Sequence, residues 1–478
     1  MTAEKRHIAL IGFMGAGKTS VGFELARLLE RPFADLDVEL EQRHGLSIAE
    51  MFEQRGEPWF RNAESELTRS ALEAVEPSVL ALGGGAVRTP ETRRALAQHA
   101  LTVLIEIDAD EAWRRASGTN RPLARSEDEF RRLYDERQPL YLEAADAVAR
   151  DLDGVLLSLG GIVVERGSLA RLDELIPGEG PVALIADERV IELHPPALGA
   201  RLVSTHTVPA GEQAKTLEVC ERLWQELRLD RAGTIVALGG GATTDVAGFV
   251  AATHLRGVAW VPVPSTIVGQ VDAAIGGKTA IDLPHGKNLV GSFHVPARVV
   301  IDPDLLATLP ARERTGGLSE VVKTGLLAGR ELWRLPDGEM VRAAAAFKTA
   351  VCLADPQEAG RRAILNLGHT FAHGLEAAAG YEGLSHGEAV ALGLRAALRL
   401  SVRHLGLASA VLAEVEETLP AELAPVDLET AWAAMAHDKK TRGGRLRLVL
   451  LRAPGEPVYN VELPDAEIRS ELAELIEP

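Results

Sequence analysis

The segment RHIALIGFMGAGKTS, residues 6–20, predicts the fold of the first part of the chain. An apolar run, Ile8–Ile11, leads into Gly12-x4-Gly17-Lys18-Thr19, and helical text follows. This is a P-loop in its strand–loop–helix context, where backbone N–H groups and a lysine hold the phosphates of a nucleotide. The pattern predicts that Lys18 reaches the β- and γ-phosphates and that Thr19 holds Mg²⁺.

The hexapeptide ALGGGA occurs at residues 81–86 and again at 237–242, each time after a short apolar run. Each copy predicts a buried strand followed by a loop in which the backbone approaches a ligand. A duplicated domain would repeat GFMGAGKT of residues 12–19 at 168–175, but that stretch reads SLARLDEL. The chain therefore contains two unrelated halves, each with a glycine loop after a buried strand.

The composition is typical of a globular enzyme with small-molecule ligands. The length of 478 residues predicts two to four domains, and 46% hydrophobic and 25% charged residues are ordinary values. A net charge of −18 argues against nucleic acid or a membrane as partner. The chain has only two cysteines, Cys220 and Cys352, and its sequence has no apolar stretch long enough to cross a bilayer. Both features predict a cytoplasmic location.

Polar residues follow the P-loop in the first half. Asp35 and Asp37 end a second predicted strand, where alternate side chains point to opposite faces, although a loop or a helix cap explains the pair equally well. Arg61 and Glu64 in FRNAE share one helix face, where a solvated ion pair is the usual explanation. The motifs NRPLA and ERQPLY each add an arginine in acidic surroundings.

Taken in order, GFMGAGKT, DLD, FRNAE, LGGGAV, NRPLA and ERQPLY, spread over about 150 residues, resemble shikimate kinase. The resemblance implies an αβα P-loop kinase fold and ATP-dependent phosphorylation of shikimate. It implies that Asp37 orients the acceptor hydroxyl and that Arg61 and Arg137 fork the substrate carboxylate. Arg121 would lie on a lid and neutralise charge on the phosphoryl group, so Lys18, Asp37 and Arg121 are the implied catalytic residues.

The resemblance also implies the residues that bind Mg²⁺, ATP and shikimate. Mg²⁺ would depend on Thr19, the phosphates and, through water, Asp35. The implied ATP-binding residues are Gly12, Gly15, Ala16, Gly17, Lys18, Thr19, Ser20 and Arg121. The implied shikimate-binding residues are Asp37, Arg61, Gly83, Gly84 and Arg137.

The second half gives weaker local patterns. Residues 233–249, GTIVALGGGATTDVAGF, read as strand, glycine turn and helix, but a dinucleotide site and a plain turn fit equally well. His369 and His373 share one predicted helix face, and with His386 and an upstream Glu320 they suggest a divalent metal site. Spacing alone would pair His369 with His373 as ligands, and packed or surface histidines are the alternative.

A set of motifs over about 290 residues resembles 3-dehydroquinate synthase: GEQAKT, LGGGATTD, THLRG, VPSTIVGQVDAAIGGKTAID, HGKNLVGSF, GLSEVVK, RRAILNLGHTFAH, SHGEAVALG and HDKK. The resemblance implies a Rossmann-like part, an all-α part and a site in the cleft between them. It implies Glu320, His369 and His386 as ligands of Zn²⁺ or Co²⁺, which replaces the pairing suggested by spacing. His373, Lys278, Lys323 and Arg362 are then catalytic.

The remaining implied residues surround NAD and the sugar acid phosphate DAHP. The implied NAD residues are Glu212, Lys215, Gly240, Gly241, Asp245, Ser265, Thr266, Lys278 and Lys287. The implied DAHP residues are Arg256, Asp272, Lys278, Lys287, Asn288, Lys323, Lys348, Arg362, Asn366 and Lys439. The implied reaction is a transient oxidation by NAD, loss of phosphate, return of the hydride and ring closure to 3-dehydroquinate.

Two departures from the synthase pattern are visible. VPST at 263–266 stands for the family's usual VPTT and keeps a hydroxyl. The segment 325–348 is shorter than usual, so we expect altered helix packing around Lys348.

The sequence thus predicts a bifunctional α/β enzyme in three parts. A P-loop kinase αβα domain spans 1–158, a Rossmann-like α/β domain spans 159–301 and an all-α domain spans 302–478. Its predicted ligands are shikimate, DAHP, ATP-Mg, NAD and Zn²⁺ or Co²⁺, and a homodimer through the synthase half is compatible with it. The alternatives are a metal-dependent polyol dehydrogenase in the second half, and in the first another small-molecule kinase or a non-catalytic nucleotide-binding module.

Overall fold

The computed structural model describes residues 6–117, 126–284, 286–380, 383–419, 421–441 and 445–477, and for 437–441 it describes the backbone alone. The chain forms two compact units, Met1–Gly160 and Gly161–Pro478, which divide next to the junction predicted at 158/159. None of the helices in the described ranges is both long and apolar enough to cross a membrane.

The first unit is a parallel sheet packed between helices. Its elements are β1 (His7–Ile11), α1 (Lys18–Leu29), β2 (Phe33–Asp35), α2 (Leu36–His44), α3 (Ile48–Arg55), α4 (Glu57–Leu72), β3 (Val79–Ala81), α5 (Pro90–His99), β4 (Ala100–Ile105), α6 (Ala109–Ala116), α7 (Glu127–Ala144), β5 (Ala147–Ala149) and α8 (Leu152–Leu159). The strand order is β2-β3-β1-β4-β5, and all neighbours run parallel. This is the predicted αβα arrangement.

The order of the strands brings the motifs of the first half together. β1 is apolar and completely buried, so it takes the centre of the sheet. Parallel strands end at the same edge, where α/β proteins bind their ligands. The P-loop after β1, the glycines after β3 and Asp35 at the end of β2 therefore share one edge.

The second unit has more elements. They are β6 (Ile162–Val164), α9 (Leu172–Leu175), β7 (Val182–Asp187), α10 (Glu188–Leu193), β8 (Leu202–Val208), α11 (Leu217–Glu226), β9 (Thr234–Gly239), α12 (Gly241–Thr253), β10 (Ala259–Pro264), β11 (Lys278–Leu283), β12 (Gly286–Phe293), β13 (Val299–Ile301), α13 (Ala311–Ala328), α14 (Asp337–Ala354), α15 (His369–Ala378), α16 (His386–Leu405), α17 (Ser409–Thr418), α18 (Leu428–Thr441), β14 (Leu448–Ala453), β15 (Glu456–Val461) and α19 (Asp465–Ala473).

The unit begins with a parallel sheet of the Rossmann-like kind and continues into helices. The sheet has the order β10-β9-β7-β8. β11 and β12 form an antiparallel hairpin, and β13 pairs with β6. Helices α13–α19 surround a core that includes Val322, Phe371 and Leu392. The predicted all-α part also contains the hairpin β14–β15, which the sequence prediction omits.

The two copies of ALGGGA take different local structures. The first follows β3 and passes into a 3-10 turn, Ala86–Arg88. In the second, β9 runs to Gly239 and α12 begins at Gly241. The flanking residues therefore determine which element comes after the strand, as expected for unrelated halves.

Glycines fix the approach of the helices that carry the predicted metal ligands. A Cβ atom on Gly393 of α16 would collide with the carbonyl oxygen of Gly368, which precedes α15. A Cβ atom on Gly387, also in α16, would collide with the backbone of Gly316 in α13. The three helices can pack this closely only because these positions lack side chains.

Candidate functional site

The P-loop forms a phosphate cradle at the edge of the first sheet. Gly17 has a φ of 86° and precedes α1, whose start has no side-chain cap. Lys18 Nζ donates to the carbonyl oxygens of Gly12 at 2.9 Å and Phe13 at 3.2 Å, so the ammonium is folded over the loop. An uncapped helix start beside a lysine suits a bound phosphate.

The Thr19 side chain meets a carboxylate. Its hydroxyl donates to Asp35 Oδ2 at 2.5 Å, while Asp35 Oδ1 accepts from the backbone N–H groups of Asp37 and Val38. Asp35 therefore caps α2, and Asp37 lies in the first turn of that helix rather than at the end of a strand as predicted. The hydroxyl–carboxylate pair supplies hard oxygen ligands, which fit Mg²⁺.

Three of the predicted shikimate residues surround the first glycine loop. Arg61 Nη1 lies 2.6 Å from Glu64 Oε2, and both are on α4. A Cβ atom on Gly83 would lie 2.5 Å from Asp37 Oδ1 and would also overlap Glu64, and one on Gly85 would overlap Arg61. Burial raises the pKa of Glu64, an effect that Arg61 opposes. The bare glycine backbone thus makes room between two carboxylates and a guanidinium.

Arg137 is the most deeply buried cation of this cluster. It is 1% exposed, and its Nη1 donates to Gly84 O at 2.9 Å, as does the Tyr141 hydroxyl at 2.5 Å. Among the described residues, Arg137 Nε and Nη2 find no hydrogen-bond acceptor. Burial lowers the pKa of Arg137 and raises that of Tyr141 to about 12. Two donors in one plane that lack an acceptor among the described residues fit a carboxylate. The predicted Arg121 lies outside the described residues.

The second ALGGGA forms a turn that fits a dinucleotide. α12 begins at Gly241 without a side-chain cap, which is the helix start that accepts phosphate. A Cβ atom on Gly240 would lie 3.2 Å from Thr266 Cγ2, so the two chain segments are in close contact. Buried Ser265 donates its N–H to Gly239 O at 2.8 Å and fixes this contact.

Charged residues extend from this turn to the β11–β12 hairpin. Lys215 is 3% exposed and lies 2.9 Å from Asp245 and 3.8 Å from Glu212. It also donates to Asn288 of β12. Burial, opposed by Lys215, raises the pKa of Asp245 to about 6. Lys287 lies 3.7 Å from Glu212. Four of the predicted NAD residues, Glu212, Lys215, Asp245 and Lys287, thus form one continuous cluster.

The predicted metal ligands converge from three helices. Glu320 Oε1 lies 3.3 Å from His369 Nε2 and 3.1 Å from His386 Nε2, and one ligand atom from each residue lies within 4.8 Å of the others. His369 Nδ1 donates to Leu367 O at 3.2 Å, which leaves Nε2 for a metal. His373, which spacing alone would pair with His369, is exposed, and among the described residues it is not a member of this group.

The electrostatics of this group suit a cation. Burial alone would lower the pKa of His386, but hydrogen bonds to Glu320 and Glu376 raise it to about 10. Burial alone would raise the pKa of Glu320, but Lys323 and the histidines hold it well below its ordinary value. The carboxylates therefore create a strongly negative potential where the ligand atoms meet. Two imidazoles and one carboxylate fit a catalytic Zn²⁺ or Co²⁺ site, which uses three protein ligands.

A chain of alternating charges leads from the metal group toward α14. Lys323 Nζ lies 2.5 Å from Glu320 and 3.9 Å from Asp272, and Lys348 Nζ lies 2.6 Å from Asp272. Burial alone would raise the pKa of Asp272, but Lys348 and Lys323 lower it. The structure thus places Lys348 beside the other predicted residues although segment 325–348 is short.

A second group faces the β11–β12 hairpin. Lys278 pairs with Glu358, which also accepts from Asn366 Nδ2 at 3.3 Å. Arg362, 2% exposed, donates to Gly276 O at 3.2 Å and so supports the turn before Lys278. Three nitrogen-bearing side chains around one partly exposed carboxylate form a site that suits an anionic substrate.

One predicted DAHP residue, Arg256, does not join these groups. Arg256 is exposed on the 3-10 turn after α12, whose 13 residues separate it from Gly241 by about 20 Å. The side chain of Lys439 lies outside the described part of the chain.

Sequence reasoning missed Glu358 and Glu376. Glu376 is 5% exposed and faces His386, and it lies seven residues after His369 on the same face of α15, so helical spacing could have identified it. Glu358 follows α14 in a loop with a φ of 56°, and no sequence pattern marks such a position.

Comparison with family models supports the resemblance found for each half of the sequence. The shikimate kinase model matches residues 14–166, the 3-dehydroquinate synthase N-terminal model matches 205–316 and the C-terminal model matches 317–441.

Individual proteins agree with this division. A 3-dehydroquinate synthase of Halorhodospira halophila is 42% identical over 61% of this chain and 90% of its own length. A crystal structure of 2-deoxy-scyllo-inosose synthase complexed with carbaglucose-6-phosphate, NAD⁺ and Co²⁺ has a TM-score of 0.58 and 25% identity, over 66% of this chain and 96% of that one. A bifunctional shikimate kinase/3-dehydroquinate synthase of Thermotoga maritima is 33% identical over 94% of this chain and 96% of its own length. The chain belongs to the family of bifunctional shikimate kinase/3-dehydroquinate synthases.

Proposed function

We propose that the first unit transfers a phosphoryl group from ATP to a hydroxyl of shikimate at the edge of its sheet. The nucleotide phosphates are held by the backbone of the P-loop, by the start of α1 and by Arg121. The P-loop residues are Gly12, Gly15, Ala16 and Gly17, and the helix start is Lys18–Ser20. Thr19, with Asp35 beside it, holds Mg²⁺. Arg121 and Lys18 neutralise charge on the transferring group.

The same proposal assigns the acceptor site. Arg137 and Arg61 bind the carboxylate of shikimate, and Gly83 and Gly84 let the ring approach the backbone. Asp37 orients the reacting hydroxyl and takes its proton. The Nε and Nη2 atoms of Arg137, which find no acceptor among the described residues, support this assignment most directly.

We propose that the second unit converts DAHP to 3-dehydroquinate with NAD and a divalent metal. NAD lies along the turn at Gly240 and Gly241, with Ser265 and Thr266, along the cluster of Glu212, Lys215, Asp245 and Lys287, and beside Lys278. Glu320, His369 and His386 hold Zn²⁺ or Co²⁺. When bound, NAD takes up and returns a hydride, and the metal polarises a substrate oxygen.

The other residues bind and orient the substrate. Lys323, Lys348 and Asp272 face the end nearest the metal ligands. Lys278, Arg362 and Asn366, with Lys287, Asn288 and Lys439, neutralise its anionic groups. His373 is exposed beside His369, where it can move a proton to or from the substrate. The convergence of Glu320, His369 and His386 within 4.8 Å is the observation that carries the assignment.

One experiment tests both halves. Phosphate release from DAHP is measured with and without a zinc-selective chelator, together with absorbance of NADH and shikimate-dependent formation of ADP. We expect chelator-sensitive phosphate release without net NADH, and ADP formation only when shikimate is present. Net NADH would indicate a polyol dehydrogenase, and ADP formation with another hydroxy acid would indicate a different kinase.

The proposal includes the setting of the enzyme. Its three parts are 1–158, 159–301 and 302–478, and it works in the cytoplasm on small metabolites rather than on nucleic acid or membranes, which agrees with its net charge of −18. Arg256 lies about 20 Å from Gly241 of its own unit, so we assign it to the DAHP site of a partner chain in a homodimer. The exposed apolar side chains of β12, Leu289, Val290 and Phe293, support such an interface. Sedimentation equilibrium of the whole chain tests it.

A further inference from the structure

Glu376 lies between two groups of residues that the proposed function treats separately. On the α16 side it faces His386, with His386 Nδ1 at 3.4 Å from its carboxylate. On the hairpin side, Lys287 Nζ lies 3.7 Å from Glu376 Oε1. Its side chain is 6% exposed, so bulk water screens these contacts little.

The contacts continue on both sides. His386 Nε2 lies 3.1 Å from Glu320 in the metal group. Lys287 lies 3.7 Å from Glu212, whose partner Lys215 is bonded to Asp245. A continuous series of alternating charges therefore runs from the metal ligands to the NAD cluster, and the pair Glu376–Lys287 is the link between them.

The chemistry of a metal-binding imidazole explains what Glu376 does in this position. A carboxylate that accepts Nδ1–H fixes the tautomer with Nε2 toward the metal and makes Nε2 a stronger ligand. A neighbouring ammonium weakens that effect because it attracts the same carboxylate. A bound dinucleotide brings phosphate groups, which attract Lys287 away from Glu376.

We propose that Glu376 is a positioning residue that orients His386 for a divalent metal and, through Lys287, makes metal binding and NAD binding reinforce each other. This inference rests on the proposed metal and NAD sites. The reinforcement is reciprocal, because each ligand must change the affinity of the other by the same factor.

The test measures the dissociation constant of Zn²⁺ for the full-length, metal-stripped chain by competition with a chromogenic chelator, without NAD⁺ and at saturating NAD⁺. In the unaltered chain we expect NAD⁺ to tighten Zn²⁺ binding at least about fivefold. In Glu376→Gln we expect Zn²⁺ binding to weaken about 10–100-fold and to lose its dependence on NAD⁺. The visible spectrum of bound Co²⁺ reports the changed ligand geometry.

Two further variants make the result specific. Lys287→Met, measured without NAD⁺, should bind Zn²⁺ as tightly as the unaltered chain does with NAD⁺, because Glu376 then acts on His386 alone. This result does not depend on whether Glu376→Gln folds. Glu471→Gln is the matched control, since Glu471 is also 5% exposed and paired with one arginine, Arg403, but is not part of the metal group. It should leave Zn²⁺ binding unchanged.

The outcomes separate this inference from the proposed function. Glu320→Gln must abolish tight Zn²⁺ binding, and if it does not, the metal site itself is wrongly assigned. If Glu320→Gln abolishes binding but Glu376→Gln retains the NAD⁺ effect, or if Lys287→Met binds no more tightly than the unaltered chain, the link through Glu376 is refuted.

Discussion

Arg137 holds two buried donor atoms for which the described residues supply no acceptor. We expect Arg137→Lys to raise KM for shikimate about 10–100-fold, because an ammonium keeps the charge but loses the planar fork that two carboxylate oxygens need. KM for ATP should stay the same, since Lys18 and the P-loop are untouched. Steady-state kinetics with each substrate varied in turn measures both values.

The matched control is Arg94→Lys, because the Arg94 side chain is 70% exposed on α5 and pairs with Glu91, which is also exposed. It should leave both KM values unchanged. An Arg137→Lys enzyme with an unaltered KM for shikimate would show that the carboxylate is bound elsewhere.

Functional residues can be predicted from the sequence when they lie close together in one motif. Lys18 and Thr19 follow from one short motif. The metal ligands do not, because Glu320 and His386 are 66 residues apart and meet only through helix packing. Spacing alone favours His373 in place of His386, and the resemblance to a family supplied the set that the structure brings together.

The helices that carry the metal ligands are held by backbone contacts at glycines. Gly393 of α16 packs directly on Gly368, which precedes His369, so an added methyl group has no space. We expect Gly393→Ala to destabilise the second unit by about 1–3 kcal/mol and to weaken Zn²⁺ binding by displacing α15. Urea unfolding and chelator competition measure the two effects.

Gly338→Ala serves as the comparison for this change. Gly338 lies in α14, and a Cβ atom there would make only ordinary contacts with Arg166. Its replacement should be neutral or slightly stabilising, because alanine favours a helix. Equal effects of the two substitutions on Zn²⁺ binding would show that the glycine contact does not set the ligand geometry.

The loop after α14 depends on one carboxylate. Asp355 accepts from the backbone N–H groups of Ala359, Gly360 and Arg362. We expect Asp355→Ala to lower the free energy of unfolding by about 2 kcal/mol. It should also lower kcat/KM for DAHP, because the loop carries Glu358. Urea unfolding and synthase kinetics measure the two effects. The control is Asp427→Ala, which removes a carboxylate that accepts a backbone N–H group at the start of α18. It should reduce stability but not activity.

The stability contribution of Asp355 depends on pH. Burial alone would raise the pKa of Asp355, but its backbone hydrogen bonds lower it below the ordinary 3.8. A lowered pKa in the folded state stabilises the fold above pH 3.8, and this stabilisation is lost as pH falls through the folded value. The difference in urea midpoint between the unaltered chain and Asp355→Ala should therefore be larger at pH 7 than at pH 3. A constant difference would mean that the carboxylate charge contributes nothing.

At the scale of elements, sequence patterns predict strands and helices better than their ends. From the sequence, a strand end and a loop or helix cap explain Asp35 and Asp37 equally well, and the structure shows Asp35 as the N-cap of α2 with Asp37 in the first turn. The hairpin β14–β15 was missed because a short apolar run can be a strand or a buried helix segment. The position of Lys348 could not be derived from a segment of unusual length, since its contact with Asp272 is made by tertiary packing.

At the scale of the whole molecule, the two-half organisation was predictable from the repeat of ALGGGA without a repeat of its surroundings. The order of the strands was not, because it depends on which buried faces pack together. Each half keeps its own sheet edge, its own glycine loop and its own set of cations.

Because the two compact units hold separate sites, the two activities should respond independently to substitution. Lys18→Ala removes the ammonium of the P-loop, so we expect shikimate-dependent ADP formation to fall at least about a thousandfold, a loss of the size seen when one charge-stabilising group is removed. Phosphate release from DAHP should remain within about twofold of the unaltered chain. Glu320→Gln should give the reverse pattern, because it removes a metal ligand of the second unit only. Both assays on both variants, with excess Mg²⁺ present, test this, and a variant that impairs both reactions to a similar degree would show that the units act as one.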